Sequence, residues 1–203
     1  MKKYAVLHEP GDIVTLAGTR FVVLDVERRG SLPDSLFLLA LESVGASEFG
    51  SSNNYAESDL KKAVDKWLED MGKRGLDNAK LIPREIDLTT LDGSGCYGKL
   101  SVKAAPLTLD EAREYADIIP NAERWCWLAT GWSGPSKSDG DLALYVISNG
   151  DWNVNYCSFS NGIRPALKIP SDLLLDSADK PDLSEVPTDT LLEEIRRRVV
   201  DKA

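Results

Sequence analysis

WCWLATGWSGPSKSDGDLALYVISNGDWNVNYCSFSNGIRPALKI, residues 125–169, holds four of the chain's five tryptophans and two of its three cysteines among many Gly, Asn, Asp and Ser. Such a stretch is too apolar for a solvated linker. It is also too rich in indole N–H and side-chain amides to be buried whole, because each needs a hydrogen-bond partner. Residues 125–130 read as a strand with Trp125 and Trp127 on one face and Cys126 and Leu128 on the other. Residues 131–140 are rich in Gly, Ser and Pro and read as a loop. Residues 142–148 form a second strand, Asn149-Gly150 is the strongest hairpin signal in the chain, and 151–156 alternates polar and aromatic residues as the return strand. Residues 163–169 close the unit, so the stretch as a whole reads as a recognition surface.

Upstream, residues 4–7 and 13–16 are short strand candidates separated by the turn Glu9-Pro10-Gly11-Asp12. Residues 21–26 are a β-branched run, and 36–41 are continuously apolar, the pattern of a strand buried on both faces. Ser58 caps a predicted helix whose stripe is Leu60, Val64, Trp67, Leu68 and Met71, ending at Gly72. Residues 91–98 have a loop's composition. Thr108-Leu109-Asp110-Glu111 is a capping box opening a second helix with Leu109, Ala112, Tyr115, Ala116 and Ile119, stopped by Pro120. Past Pro170 the chain turns acidic with prolines at 181 and 187, the composition of a linker. Thr190-Leu191-Leu192-Glu193 then caps an amphipathic helix. The fold class expected is α+β, with short, mostly antiparallel strands and two helices. The domain spans 1–170, the linker 171–187, and the appended C-terminal helix 188–203.

A net charge of −9 over 203 residues argues against nucleic acid or an anionic membrane as partner. The N-terminal lysines lead into His8-Glu9-Pro10 before any signal-peptide apolar core, and no apolar run approaches the roughly 18 residues of a membrane span. The expected location is cytoplasmic as synthesised. Cys96, Cys126 and Cys157 are odd in number and lack CxxC spacing, so free thiols are expected rather than a disulfide framework or zinc knuckle. His8 is the single histidine, which removes multi-histidine metal sites and a histidine base. Asp139, Asp141, Asn149, Asp151 and Asn153 are hard enough oxygen donors for calcium, yet as residues of a hairpin and its turns they need no metal. No cofactor is expected.

The order of elements resembles a family of bacterial and prophage domains of C-type-lectin-like fold, related in architecture to the formylglycine-generating enzymes and to the variable proteins of diversity-generating retroelements. The resemblance is carried by residues 15–25, by Ser58-Asp59-Leu60 with Trp67-Leu68, by Pro106 to Glu111, by Trp125 to Thr130, and by Asn161-Gly162-Ile163-Arg164-Pro165-Ala166-Leu167. It covers roughly residues 12–169. Phe21 stands where many such sequences carry Trp, which keeps an aromatic. The resemblance implies a scaffold that displays a loop surface for binding.

Trp132, Tyr145, Asn149, Trp152, Asn153, Asn155, Tyr156 and Ser158, with Ser160 beside them, are the candidate ligand contacts on a surface spanning 132–160, because Trp and Tyr offer area at low entropy cost while Asn and Ser offer hydrogen bonds. Trp125, Trp127 and Arg164 are assigned structural roles, Arg164 as a guanidinium tying loop carbonyls together. The expected function is non-enzymatic binding of a protein or glycan by a module of phage or prophage origin. The alternative is a virion-associated assembly protein that oligomerises or docks through its C-terminal helix. A cysteine-dependent oxidase would need a reactive thiol pair at Cys126 and Cys157.

Overall fold

The runs at 21–26 and 36–41 pair with each other at the middle of a sheet in a computed structural model, which describes residues 2–29 and 32–177. Among these the chain order is β1 (Lys2–Tyr4), β2 (Ile13–Leu16), β3 (Thr19–Arg29), β4 (Leu32–Ala40), β5 (Ala46–Glu48), α1 (Asp59–Lys73), β6 (Arg84–Asp87), β7 (Lys99–Val102), β8 (Ala104–Ala105) and α2 (Leu109–Glu114). There follow β9 (Cys126–Gly131), β10 (Leu142–Val146), β11 (Trp152–Tyr156), β12 (Ser160–Gly162), β13 (Ala166–Pro170) and β14 (Leu174–Ser177). The α+β class holds, with antiparallel pairing throughout except where β12 runs parallel to β9.

Seven strands form the large sheet in the order β1-β14-β2-β3-β4-β13-β8. Phe21, Val23, Leu36 and Leu38 point to one face and pack with Leu60, Val64 and Met71 of α1. Val22, Leu24, Phe37 and Leu39 point to the other, against Leu109 of α2 together with Leu128 and Leu144. Burial on both faces explains why residues 36–40 of β4 lack a polar alternation. Both helices start as their caps predict. The Ser58 hydroxyl accepts from Lys61 N at 2.9 Å, and Thr108 and Glu111 form a reciprocal capping box. The second helix is shorter than its apolar period suggests, ending at Glu114 before turns at 115–119.

The tryptophan-rich stretch builds most of a second, five-stranded sheet in the order β11-β10-β9-β12-β5. Trp127, Ala129, Ala143 and Tyr145 join the α1-side core, while Leu128 and Leu144 join the α2-side core. The Trp127 indole N–H donates to Ser47 O at 2.9 Å, satisfying its buried polar atom. β6 and β7 form a separate two-stranded ribbon.

Several details differ from the sequence expectation. The first strand ends at Tyr4, and 5–7 form a short 3-10 turn. Residues 174–177, assigned to the acidic linker, form β14 between β1 and β2, so the folded unit extends to Ser177. The hairpin loop has three residues, closed by Ile147 N to Asp151 O at 2.8 Å, with Gly150 at φ 92°. Asn149 keeps a negative φ, so Asn149-Gly150 is not a two-residue turn with both residues left-handed. The helix expected over 188–203 and the rest of the linker lie outside the described residues. Among the described residues no helix is long and apolar enough to cross a membrane.

Candidate functional site

Backbone phase decides what the β10–β11 hairpin can offer. The bonds Ile147 N to Asp151 O and Cys157 N to Asp141 O mark hydrogen-bonded pairs at its two ends. Such pairs alternate along an antiparallel ladder, so the N–H groups of Val154 and Tyr156 point outward from the sheet edge. Each is taken by the preceding side chain: Asn153 Oδ1 accepts from Val154 N at 2.8 Å, and Asn155 Oδ1 from Tyr156 N at 3.0 Å. These two asparagines blunt an exposed edge that would otherwise template strand pairing.

The same alternation separates the predicted contacts. Tyr145, Asn153 and Asn155 lie on one face, and Trp152 and Tyr156 on the other, so they do not form one surface. Tyr145 is only 5% exposed and belongs to the core, a correction to its place among the ligand contacts. Trp152 and Tyr156 are exposed as expected; Trp152 lies under the Arg113 guanidinium at 4.5 Å, and Tyr156 stacks on Phe159. Asn149 binds its own hairpin, its amide donating to Asp151 Oδ2 at 2.7 Å. Trp132 is half-buried at the start of the 131–140 loop, and Ser158 is exposed in the turn after β11.

Trp125 is also corrected. It precedes β9 and is 49% exposed, not buried beside Trp127. Its ring stacks on Tyr145 with centroids 5.2 Å apart and planes at 30°, and Tyr145 meets Trp127 edge-on at 6.1 Å. A row of aromatic rings therefore runs from core to surface, and Trp125 is its outer, fixed member. The backbone brings polar groups beside it. Gly162 N donates to Trp125 O at 2.7 Å, and Gly162 pairs with Cys126 in the parallel β9–β12 contact. A Cβ at Gly162 would come within 2.9 Å of Cys126 Sγ, so the close approach requires glycine.

Trp125, Ser148, Ser160, Asn161, Glu123 and Arg124 line the resulting groove of about 490 Å³. Asn161 is buried, yet its Nδ2 has no hydrogen-bond partner. A second hollow of about 580 Å³ beside residues 42–45 continues the groove past Glu123 and Arg124. Of these residues the sequence singles out only Ser160 for binding, and it assigns Trp125 a structural role. The one local signal is the exposed-type pair Glu123-Arg124 immediately before the strand.

Arg164 plays the expected tying role. Its Nε donates to Ala40 O at 2.7 Å and its Nη1 to Pro120 O at 2.9 Å. Cys126 and Cys157 are buried, and Cys96 is exposed. Burial raises the Cys126 thiol pKa despite nearby Arg164 and Arg124, and burial together with Asp141 pushes Cys157 up to about 12. Neither is a thiolate at neutral pH, the form a nucleophile needs. Among the described residues no cluster of three or more His, Cys, Asp or Glu could hold a metal. Of the calcium candidates, Asn149 and Asp151 bond each other and Asn153 caps its own strand edge. A scan against protein-family models, a search of curated proteins and a search of solved structures each return no match.

Proposed function

We propose that this chain is a non-enzymatic glycan-binding module of C-type-lectin-like architecture, with its site in the groove beside Trp125. The observation that carries the reading is the half-exposed Trp125 ring, backed by buried Tyr145 and bordered by polar and charged side chains. A pyranose presents a flat face of C–H groups and a rim of hydroxyls. The indole face suits the first. Ser148, Ser160 and the Glu123 and Arg124 charges suit the second. A groove of this volume lies in the range of small-ligand sites, and its continuation past Arg124 gives room for more than one sugar. A phage or prophage source, implied by the sequence resemblance, accords with a module that reads cell-surface sugars.

The test is a glycan array probed with wild-type protein, Trp125→Ala and Trp152→Ala. Selective capture that is lost in Trp125→Ala and kept in Trp152→Ala supports the proposal. Capture by wild type that survives Trp125→Ala, or no capture at all, overturns it.

A further inference from the structure

Another cavity, sharing no lining residue with this groove, lies between α2 with its following turn and the tip of the β10–β11 hairpin. It has a volume of about 290 Å³, and its walls include Arg113, Ala116, Ile119, Val146, Trp152 and Arg164. Arg164 is 6% exposed, and after its bonds to Ala40 O and Pro120 O its Nη2 is left with no partner. No carboxylate of the described residues forms an ion pair with it. A buried guanidinium in that condition carries an uncompensated charge, which is costly unless something pairs with it.

We infer that this cleft is a subsite for a carboxylate borne on a short aliphatic body. Arg164 supplies the donor, since guanidinium N–H groups match carboxylate oxygens in geometry and charge. The apolar part has its own place. A small void of about 30 Å³ shares Ala112, Ile119, Val146 and Arg164 with the cleft and is closed by Leu39, Leu107 and Leu128. At the mouth, the Arg113 guanidinium over the Trp152 ring adds a second positive charge. The one acid lining the cleft, Asp151, accepts from the Asn149 amide, while Arg113 also contacts Asp110 at 3.3 Å. The site is separate in residues and ligand class from the Trp125 groove, so either can fail without the other.

The experiment titrates butyrate into the full chain and follows the Trp152 indole N–H and the Arg164 Nε–H by NMR, with the Trp125 indole, which does not line the cleft, as a control. Butyramide tests the charge, and inorganic phosphate tests whether any anion suffices. Saturable shifts at Trp152 and Arg164 with butyrate alone are expected. Arg164→Gln weakens binding by at least about tenfold. Should that variant fail to fold, Ala116→Phe carries the test, because Ala116 is exposed and a ring there fills the cleft without entering the core. Absence of saturable shifts, equal shifts with butyramide or phosphate, or unchanged butyrate binding in Ala116→Phe overturns the inference.

Discussion

Replacing Glu111 with alanine destabilises this protein more than its position in a short surface helix suggests. One Glu111 oxygen closes the capping box by accepting from Thr108 N at 2.8 Å; the other pairs with Arg84 Nη1. The Arg84 side chain is 3% exposed, donates to Ala105 O at 3.0 Å and Pro106 O at 3.1 Å, and lies over the Phe37 ring. Removing the carboxylate therefore leaves a buried cation with carbonyls and a ring but no counter-charge. Loss of a cap costs about 1 kcal/mol. Breaking a buried ion pair costs about 3–5 kcal/mol. Glu111 is partly open to water, which holds the combined effect near the low end, about 3 kcal/mol. At about 2–4 °C per kcal/mol for a chain of this size, the melting temperature falls by about 6–12 °C. Thr108→Ala, which removes only a cap, lowers it by about 3 °C. Circular dichroism melts, with urea unfolding for the free energies, separate the two. A Glu111→Ala melt no lower than that of Thr108→Ala would refute the claim that Arg84 depends on this carboxylate.

Other expectations follow from the same geometry. Gly131→Ala places a Cβ 2.9 Å from the Asn53 amide, which ties Ser133 O, Leu142 O and the Tyr97 hydroxyl; a loss of about 1–3 kcal/mol in urea unfolding is expected, against no loss for Gly45→Ala, where nothing lies within 4 Å. A thiol reagent titrates Cys96 in the native protein and all three cysteines in denaturant; two native equivalents would show that Cys126 or Cys157 is accessible. Because burial raises Cys157 from its ordinary 9.0 to about 12, the stability it contributes is present below pH 9 and is lost as pH climbs through about 12; Cys157→Ala flattens that alkaline limb of the melting profile. Burial acts to raise Glu27, but hydrogen bonds from Lys168 and Ser35 outweigh it and leave the group below its ordinary 4.5; its stabilisation is present above pH 4.5 and lost as pH falls through the lowered value, so Glu27→Gln has a shallower acid limb.

The features legible in the sequence are those decided locally. Ser58 and Thr108 cap their helices because the partner N–H groups lie three residues on, and residues 36–40 of β4 are buried on both faces because their side chains are apolar at every position. Trp127 could be assigned to the core for the same reason. What could not be read depends on distant partners. Tyr145 looked like a surface aromatic in a polar hairpin, yet Trp127 of β9 and Trp125 just before it enclose it. Trp125 shares a spacing of two with Trp127 but precedes the strand, so the rule of alternating faces does not bury it. Arg84 carries the polar character of a ribbon strand, and its burial rests on partners far along the chain, the Glu111 carboxylate 27 residues away and the carbonyls of Ala105 and Pro106. The alternation along β11 was visible in the sequence and already implied that Trp152 and Tyr156 could not share a face with Asn153 and Asn155. Acidic composition hid β14, whose pairing with β1 and β2 comes from the far end of the chain.

The central claim is that Trp125 is a sugar platform, and calorimetric titration of the saccharide selected on the array tests it most directly. Loss of stacking at a central aromatic contact predicts a dissociation constant weakened by about thirtyfold or more in Trp125→Ala. The melting temperature should fall by only about 2–4 °C, the cost of about 1 kcal/mol for one half-exposed stacked ring, because Tyr145 remains held by Trp127. Equal affinity in wild type and Trp125→Ala would contradict the account.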